Sequence, residues 1–113
     1  MYTNDRFIFN LRVVKKMATS EDTLNRFMKY IDDDHITTCK MMGEYIIYFD
    51  KTVVGGLYDN RLLIKSTPSS SEILKDCKVI SPYPNAKQMI HYPNIEDSET
   101  ILKVVKQVKN DLN

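Results

Sequence analysis

The sequence is poor in the residues that break a chain or cross-link it. Its 113 residues include three glycines, four prolines and two cysteines, and no tryptophan. So few glycines and prolines exclude low-complexity, collagen-like and most disordered chains, which are enriched in them. Two cysteines, Cys39 and Cys77, are too few for a secreted domain held together by disulfides, and we expect both thiols to be reduced.

Long apolar runs and an excess of charge of one sign are also absent. No stretch of the sequence reaches the roughly 20 apolar residues that a membrane span needs, and residues 1–16 lack the apolar core of a signal peptide. We therefore predict a cytoplasmic protein that does not bind membranes. Sixteen basic and fifteen acidic side chains give a formal charge of +1. Binding to nucleic acid would therefore require a local basic patch.

The composition that remains is typical of one compact domain, with 42% hydrophobic and 27% charged residues. We predict a single domain over residues 17–113. Residues 1–16 are predicted to be an N-terminal extension, for which two interpretations stay open. One is an upstream start, with Met17 as the natural first residue. The other is an extra edge strand, because apolar and polar residues alternate there as in a strand. The apolar positions are Phe7, Phe9, Leu11 and Val13.

Helical periodicity marks two long segments. The first is predicted to begin with Thr19 as its N-cap and Asp22 in the position of a capping box, and to end at the carboxylates of residues 32–34. Its apolar stripe comprises Leu24, Phe27, Met28 and Ile31. The last helix is predicted from about Asp97. Its apolar face comprises Ile101, Leu102, Val104, Val105, Val108 and Leu112.

A short middle helix is predicted between these two, where Ser69–Glu72 has capping-box spacing. After it, two prolines in residues 81–85 exclude regular structure.

Short runs rich in β-branched and aromatic residues lie between the helices. From Thr37 onward these runs alternate with turn-forming pairs, of which Asp59-Asn60 suits a tight hairpin turn. The predicted strands include Tyr45–Phe49, Thr52–Tyr58, Arg61–Lys65 and Lys87–Tyr92. Gly43, Gly55 and Gly56 are interpreted as bulges or close backbone approaches within strands. The prediction is an α+β domain. An antiparallel meander of about five strands packs with an N-terminal helix, a short middle helix and a C-terminal amphipathic helix.

Residues capable of catalysis or metal binding are few and scattered. His35 and His91 lie far apart, and neither has a cysteine or carboxylate at metal-ligand spacing. Cys39 falls in a strand, where a small buried hydrophobe is the usual role. The carboxylates of residues 32–34 lack the glycine and the distal glutamate of a calcium loop. We predict no catalytic residue, no metal and no cofactor.

Basic side chains on the predicted strands, together with nearby tyrosines, are the best candidates for a binding surface. If the strands share one sheet face, these side chains form a patch that suits an acidic peptide or single-stranded nucleic acid. The predicted patch comprises Lys40, Tyr45, Tyr58, Arg61, Lys65, Tyr83 and Lys87. The alternative is that Arg61 and Lys65 form ion pairs with Glu44 and Asp59, while the tyrosines are half buried as cross-strand partners.

Three sequence blocks resemble a known family. Lys40–Tyr45, Val54–Lys65 and Pro82–Met89, at their spacing within residues 17–112, resemble the N-terminal domain of the TfoX competence regulators. The resemblance implies a two-layer arrangement similar to secretion chaperones. It also implies a role in competence and transcription, exercised with the cyclic-AMP receptor protein. The chain stops where longer members continue into a second helical domain.

The sequence therefore favours a non-enzymatic regulatory module that acts through protein contacts, with a transcription regulator as the partner that the resemblance implies. Single-stranded nucleic-acid binding through the patch is the alternative function. The oligomeric state stays open between a monomer and a homodimer, because edge strands in so small a sheet can pair between protomers.

Overall fold

A computed structural model of the protein describes residues 18–113. The predictions made for residues 1–16 lie outside the described residues. The helices are α1 (Glu21–Ile31), α2 (Pro68–Ile73) and α3 (Ser98–Leu112). The strands are β1 (Ile36–Met41), β2 (Glu44–Phe49), β3 (Thr52–Tyr58), β4 (Arg61–Lys65), β5 (Val79–Ile80) and β6 (Met89–Tyr92). No helix within residues 18–113 has the length and apolar character needed to cross a bilayer.

The six strands of the described residues all pair antiparallel in a single sheet, in the order β1-β2-β3-β4-β6-β5. The predicted α+β class, with its meander and flanking helices, is confirmed. The meander is β1 to β4, and within residues 18–113 the sheet has one strand more than the five expected. The additional strand, β5, is only two residues long, which is too short for alternation to reveal it.

The helices bury their apolar stripes on one face of the sheet. Phe27 and Ile31 of α1 are buried, and Leu24 and Met28 pack beside them as predicted. The buried residues of α3 are Ile101, Val104, Val105 and Val108. Leu112, also predicted to be buried, is 46% exposed in the last turn of α3. The apolar period of α3 is therefore right except in its final turn.

The N-caps of α1 and α2 lie one or two residues away from the positions predicted from the sequence. Ser20, not Thr19, caps α1 by accepting a hydrogen bond from the Thr23 N–H. In α2 the cap is Thr67, whose hydroxyl accepts from the Ser70 N–H, rather than a residue of 69–72. The Pro that follows Thr67 occupies the first helical position, where its missing N–H costs nothing. Neighbouring hydroxyl residues make cap positions ambiguous in a sequence.

The tight turns follow the left-handed backbone that they require. Asp59 and Asn60 have φ values of 53° and 61°, as the hairpin prediction expected. Gly43, with φ of 86°, lies in the turn between β1 and β2 and not within a strand. At Gly55 the predicted close approach is confirmed, because an added Cβ would lie 2.3 Å from the Leu63 carbonyl oxygen. A bulge also interrupts the pairing of β2 with β3 beside it.

Candidate functional site

The sheet face opposite the helices is also partly covered. Leu62 and Ile64 of β4 belong to the core beneath the helices, and alternation directs Leu63 to the opposite face. Leu63 is nevertheless 0% exposed and lies outside that core cluster. Pro82, in the segment between β5 and β6, is buried as well. This second face, which we call the outer face, is therefore covered in part by residues 81–88.

Local contacts fix the shape of the segment 81–88. The Ala86 N–H donates to the Tyr83 carbonyl oxygen at 3.1 Å, and the Ser81 hydroxyl donates to the Ala86 carbonyl oxygen at 3.2 Å. Pro82 and Pro84 restrict the backbone between these bonds. Residues 81–85 are irregular, as the sequence predicted. Lys87 and Gln88 were predicted to begin a strand, but β6 begins only at Met89 and these two residues are irregular as well. The segment 81–88 is held as a wall beside β6.

Between this wall and the outer face lies a cleft of about 410 Å³. We call it the tyrosine–lysine cleft, after the four side chains Tyr58, Lys65, Tyr83 and Lys87 that line it. Its other lining residues are Val53, Gly55, Ser66, Thr67, Pro82, Ala86, Gln88, Met89 and Leu112. The cleft thus draws on β3, β4, the wall, β6 and the end of α3.

Two ammonium groups and no carboxylate line this cleft within the described part of the chain. Among residues 18–113, Lys65 and Lys87 form no ion pair. The Glu44 carboxylate instead accepts from the Thr19 hydroxyl at 2.6 Å and from the Asp59 N–H at 3.2 Å. The alternative ion pairs predicted for Arg61 and Lys65 are not formed between described residues. The cleft keeps a local positive charge, although the chain is nearly neutral.

Tyr58 forms one side of the cleft, and its ring lies over Gly56 of the same strand. An added Cβ on Gly56 would lie 2.5 Å from the Tyr58 ring, so the missing side chain makes room for that ring. Burial raises the pKa of Tyr58, and nearby Tyr83 and Glu44 raise it further. The phenol therefore stays protonated at neutral pH and keeps a hydrogen to donate.

The structure divides the predicted patch between two faces. Tyr58, Lys65, Tyr83 and Lys87 meet in the cleft. Arg61 is the cross-strand partner of Tyr58 and donates to its carbonyl oxygen at 3.3 Å.

The two remaining patch residues do not join that group. Tyr45 is 5% exposed and belongs to the core beneath the helices, because β2 directs its odd-numbered residues there. Lys40 pairs with Tyr45 across the β1–β2 ladder and shares its face.

The apolar floor and rim of the cleft were not predicted from the sequence. Met89 is the cross-strand partner of Lys65, so a correct β4–β6 register would have placed it there. No local signal indicated Leu112, which lines the cleft because the last turn of α3 lies beside the strand ends that carry Val53, Lys65 and Met89.

The rejected catalytic candidates lie apart from the cleft. His35 stacks on Phe49, and its Nδ1 lies 2.7 Å from the Asp50 Oδ1. Burial lowers the pKa of His91, and the neighbouring Arg61 and Lys78 lower it further. Cys39 is an exposed free thiol, so the prediction of a buried hydrophobe was wrong. Over residues 18–113, no three His, Cys, Asp or Glu residues gather in a metal-binding arrangement.

The fold and the cleft define a class, namely small α+β domains with a preformed, positively charged concavity on the outer face of the sheet. A family model described as "Colicin immunity protein / pyocin immunity protein" matches residues 44–111, more than half of the chain. The chain belongs to that family. The match spans β2 to α3 and includes every strand and loop that lines the cleft.

One curated relative from Spirochaeta aurantia, described as an uncharacterized 12.7 kDa protein in the trpE 5'region, is 46% identical over 48 residues. The matched segment is 42% of each of the two chains, so this chain covers less than half of that relative. No solved structure matches the chain.

The predicted membership of the TfoX family was wrong, because the matching family model is that of colicin and pyocin immunity proteins. The assignments to competence and to transcription regulation are wrong with it. The blocks that suggested TfoX contain Gly43, Gly55 and Gly56, which a turn and close strand packing require here. Such glycines follow from backbone geometry and do not identify one family. A protein as the class of partner agrees with the matched family, whereas a transcription regulator does not.

Proposed function

We propose that this chain is a non-enzymatic, cytoplasmic protein-binding domain and that its partner docks in the tyrosine–lysine cleft. The observation that carries this proposal is the cleft itself. It is preformed and lined by the half-buried Tyr58 phenol, the exposed Tyr83 phenol and two lysine ammonium groups. Tyrosine is enriched in protein interfaces because it brings contact area at little entropic cost. A concavity formed before binding also reduces the cost of ordering.

The described side chains of the cleft support binding rather than catalysis. Its described lining residues include no histidine, cysteine or carboxylate to act as a nucleophile or general base. Lys65 and Lys87 supply positive charge, and no described residue lining the cleft is positioned to act as a base beside them.

Family membership suggests the class of partner. Colicin immunity proteins bind the colicin nuclease, which is a protein. We therefore propose a nuclease of the colicin or pyocin type as the partner and inhibition by contact as the function. An acidic segment of the nuclease would be the complement of the cleft.

The test is a calorimetric titration of the protein with purified nuclease domains of colicins and pyocins. Lys65→Glu/Lys87→Glu reverses the charge of the cleft, and Lys103→Glu/Lys106→Glu makes the same change on the exposed side of α3. We expect the first variant to weaken binding at least about tenfold and the second to leave it nearly unchanged. Equal losses in both variants, or no binding to any nuclease domain, would sink the proposal.

A second candidate function, binding of single-stranded nucleic acid, is favoured by one observation. Tyr58 and Tyr83 lie beside Lys65 and Lys87, and stacking platforms with nearby cations are typical of such sites. This function predicts binding to oligothymidylate that weakens steeply from about 50 mM to about 200 mM salt. Absence of a shift in an electrophoretic assay at the lower salt would reject it.

A further inference from the structure

We propose that the tyrosine–lysine cleft recognises a short acidic segment of the partner, in which an aromatic or long apolar side chain lies between two carboxylates. This inference rests on the proposed function and specifies the chemistry of the segment that binds. Two lysines at the cleft would contact the carboxylates, and the apolar floor would take the central side chain.

The charge of the cleft calls for an anionic ligand. Two lysines line the cleft from separate elements, Lys65 at the end of β4 and Lys87 on the wall. Neither ammonium group is neutralised by a carboxylate among the described residues. Arg61, the direct cross-strand partner of Tyr58, extends the positive charge along the outer face. Two cations on separate elements suit two carboxylates better than one.

The floor of the cleft calls for an apolar group between those charges. Met89 is almost fully buried there, and Val53 and Ala86 contribute further apolar surface. The Tyr58 ring is half buried, whereas Tyr83 is 52% exposed. An aromatic side chain that enters the cleft would cover the Tyr83 ring and contact the flexible Met89 side chain.

The size of the cleft limits what it can hold. A volume of about 410 Å³ lies near the lower end of the range of ligand pockets. It therefore suits one or two side chains of a segment and not the face of a folded domain. The rest of a protein partner would contact the surrounding surface, and the cleft would hold the anchor residue.

A polyanionic strand fits the same cleft less well. Among residues 18–113 only two lysines line it, and the whole chain has a formal charge of +1. Affinity for nucleic acid comes mainly from the number of phosphates neutralised, so two ammonium groups supply little of it. A segment with carboxylates beside an aromatic ring would contact both the lysines and the apolar floor.

The test uses three acetylated octapeptides with the central sequences Glu-Phe-Glu, Gln-Phe-Gln and Glu-Ala-Glu. Each is titrated into the isotope-labelled full chain while amide chemical shifts are followed. We expect saturable shifts at Lys65, Tyr83 and Lys87 with Glu-Phe-Glu. Removing either the two charges or the ring should weaken binding at least about fivefold. Equal affinity for Glu-Phe-Glu and Gln-Phe-Gln would overturn the inference.

A charge exchange separates recognition from damage to the fold. Lys65→Glu/Lys87→Glu should lose Glu-Phe-Glu binding and gain binding of a Lys-Phe-Lys peptide. A variant that keeps its shift dispersion but binds neither peptide contradicts the inference. Lys103→Glu/Lys106→Glu is the matched control and should bind Glu-Phe-Glu like the wild type.

Failure of this inference is distinguishable from failure of the proposed function. If a nuclease domain binds and Lys65→Glu/Lys87→Glu weakens it while no peptide binds, the proposed function stands and the acidic-segment inference is wrong. If neither nuclease nor peptide binds, both are wrong. Displacement of Glu-Phe-Glu by oligothymidylate at lower concentration would overturn the inference in favour of nucleic acid.

Discussion

At the scale of single residues, Thr19 connects the start of α1 to two strands of the sheet. Its buried hydroxyl lies 2.6 Å from the Glu44 carboxylate and 3.0 Å from the Leu57 carbonyl oxygen, and it accepts from the Asn60 N–H at 3.1 Å. Thr19→Val keeps the shape but leaves these polar groups without the hydroxyl. We expect a loss of about 1–3 kcal/mol in the free energy of unfolding, measured by urea denaturation.

Thr37→Val on the exposed edge strand β1 is the matched control for Thr19→Val. It removes a hydroxyl from a solvated side chain, and we expect a change within about 0.5 kcal/mol. Equal stability of the two variants would show that the Thr19 hydroxyl contributes nothing to the fold.

Gly56 provides the space on which the Tyr58 ring rests. A methyl group there would also lie 2.9 Å from the Tyr45 carbonyl oxygen, so the backbone cannot easily give way. Gly56→Ala should lower the free energy of unfolding by about 1–3 kcal/mol and displace the Tyr58 ring from the cleft. Denaturant titration reports the first effect, and the ring proton resonances of Tyr58 report the second. Unchanged ring resonances would contradict this account of the cleft.

At the scale of elements, α3 contributes both to the core and to the cleft. Ile101 is almost fully buried, whereas Leu112 is half exposed at the rim of the cleft. Ile101→Ala should lower the free energy of unfolding by about 2–5 kcal/mol, and Leu112→Ala by less than about 1 kcal/mol. Only Leu112→Ala is expected to weaken peptide binding without a comparable loss of stability. Thermal unfolding together with peptide titration separates these two roles.

A second contact between elements joins the turn before β1, the β2–β3 turn and α3. The Asp50 carboxylate accepts from Lys109 Nζ at 2.8 Å and lies 2.7 Å from His35 Nδ1. The hydrogen bond and the charge of Asp50 raise the pKa of His35 above its usual 6.5. Hydrogen bonds from Lys109 and His35 lower the pKa of Asp50.

These shifts predict how stability depends on pH. Because the pKa of His35 is raised in the folded state, the contact of protonated His35 with Asp50 contributes its full stability below the unfolded pKa of 6.5. This contribution is lost as pH rises through the folded-state pKa. The Asp50 contribution is present above its unfolded pKa of 3.8 and is lost as pH falls through the lowered value. The stability difference between wild type and His35→Gln should therefore be larger at about pH 5.5 than at about pH 8. Urea midpoints at both values measure it, and a difference that grows with pH would refute the assignment.

At the scale of the whole molecule, the sequence predicted elements better than it predicted their assembly. The bounds of β3 and β4, the apolar stripe of α1 and the Asp59-Asn60 turn all depend on local periodicity or backbone preference, and all were right. The cap at Thr19 failed because adjacent hydroxyl residues offer equivalent bonds.

Part of the candidate site was predictable from residue types, and the part that depends on long-range packing was not. Residue types, together with the expectation that the strands share one sheet, selected Tyr58, Lys65, Tyr83 and Lys87, which meet in one cleft. Tyr45 was wrongly added, because the type of a residue does not say which face of a sheet it occupies. The wall of residues 81–88 and the rim at Leu112 depend on long-range packing that no local pattern encodes.

The central claim is that a protein partner binds the outer face of the sheet at the tyrosine–lysine cleft, and not the helices. Amide hydrogen exchange of the chain, alone and bound to a colicin- or pyocin-type nuclease, tests this claim most directly. The account predicts slower exchange in the complex at Tyr58, Lys65 and residues 83–89, with α1 and the exposed side of α3 unchanged. New protection confined to α1 and α3, with none at the cleft, would contradict it.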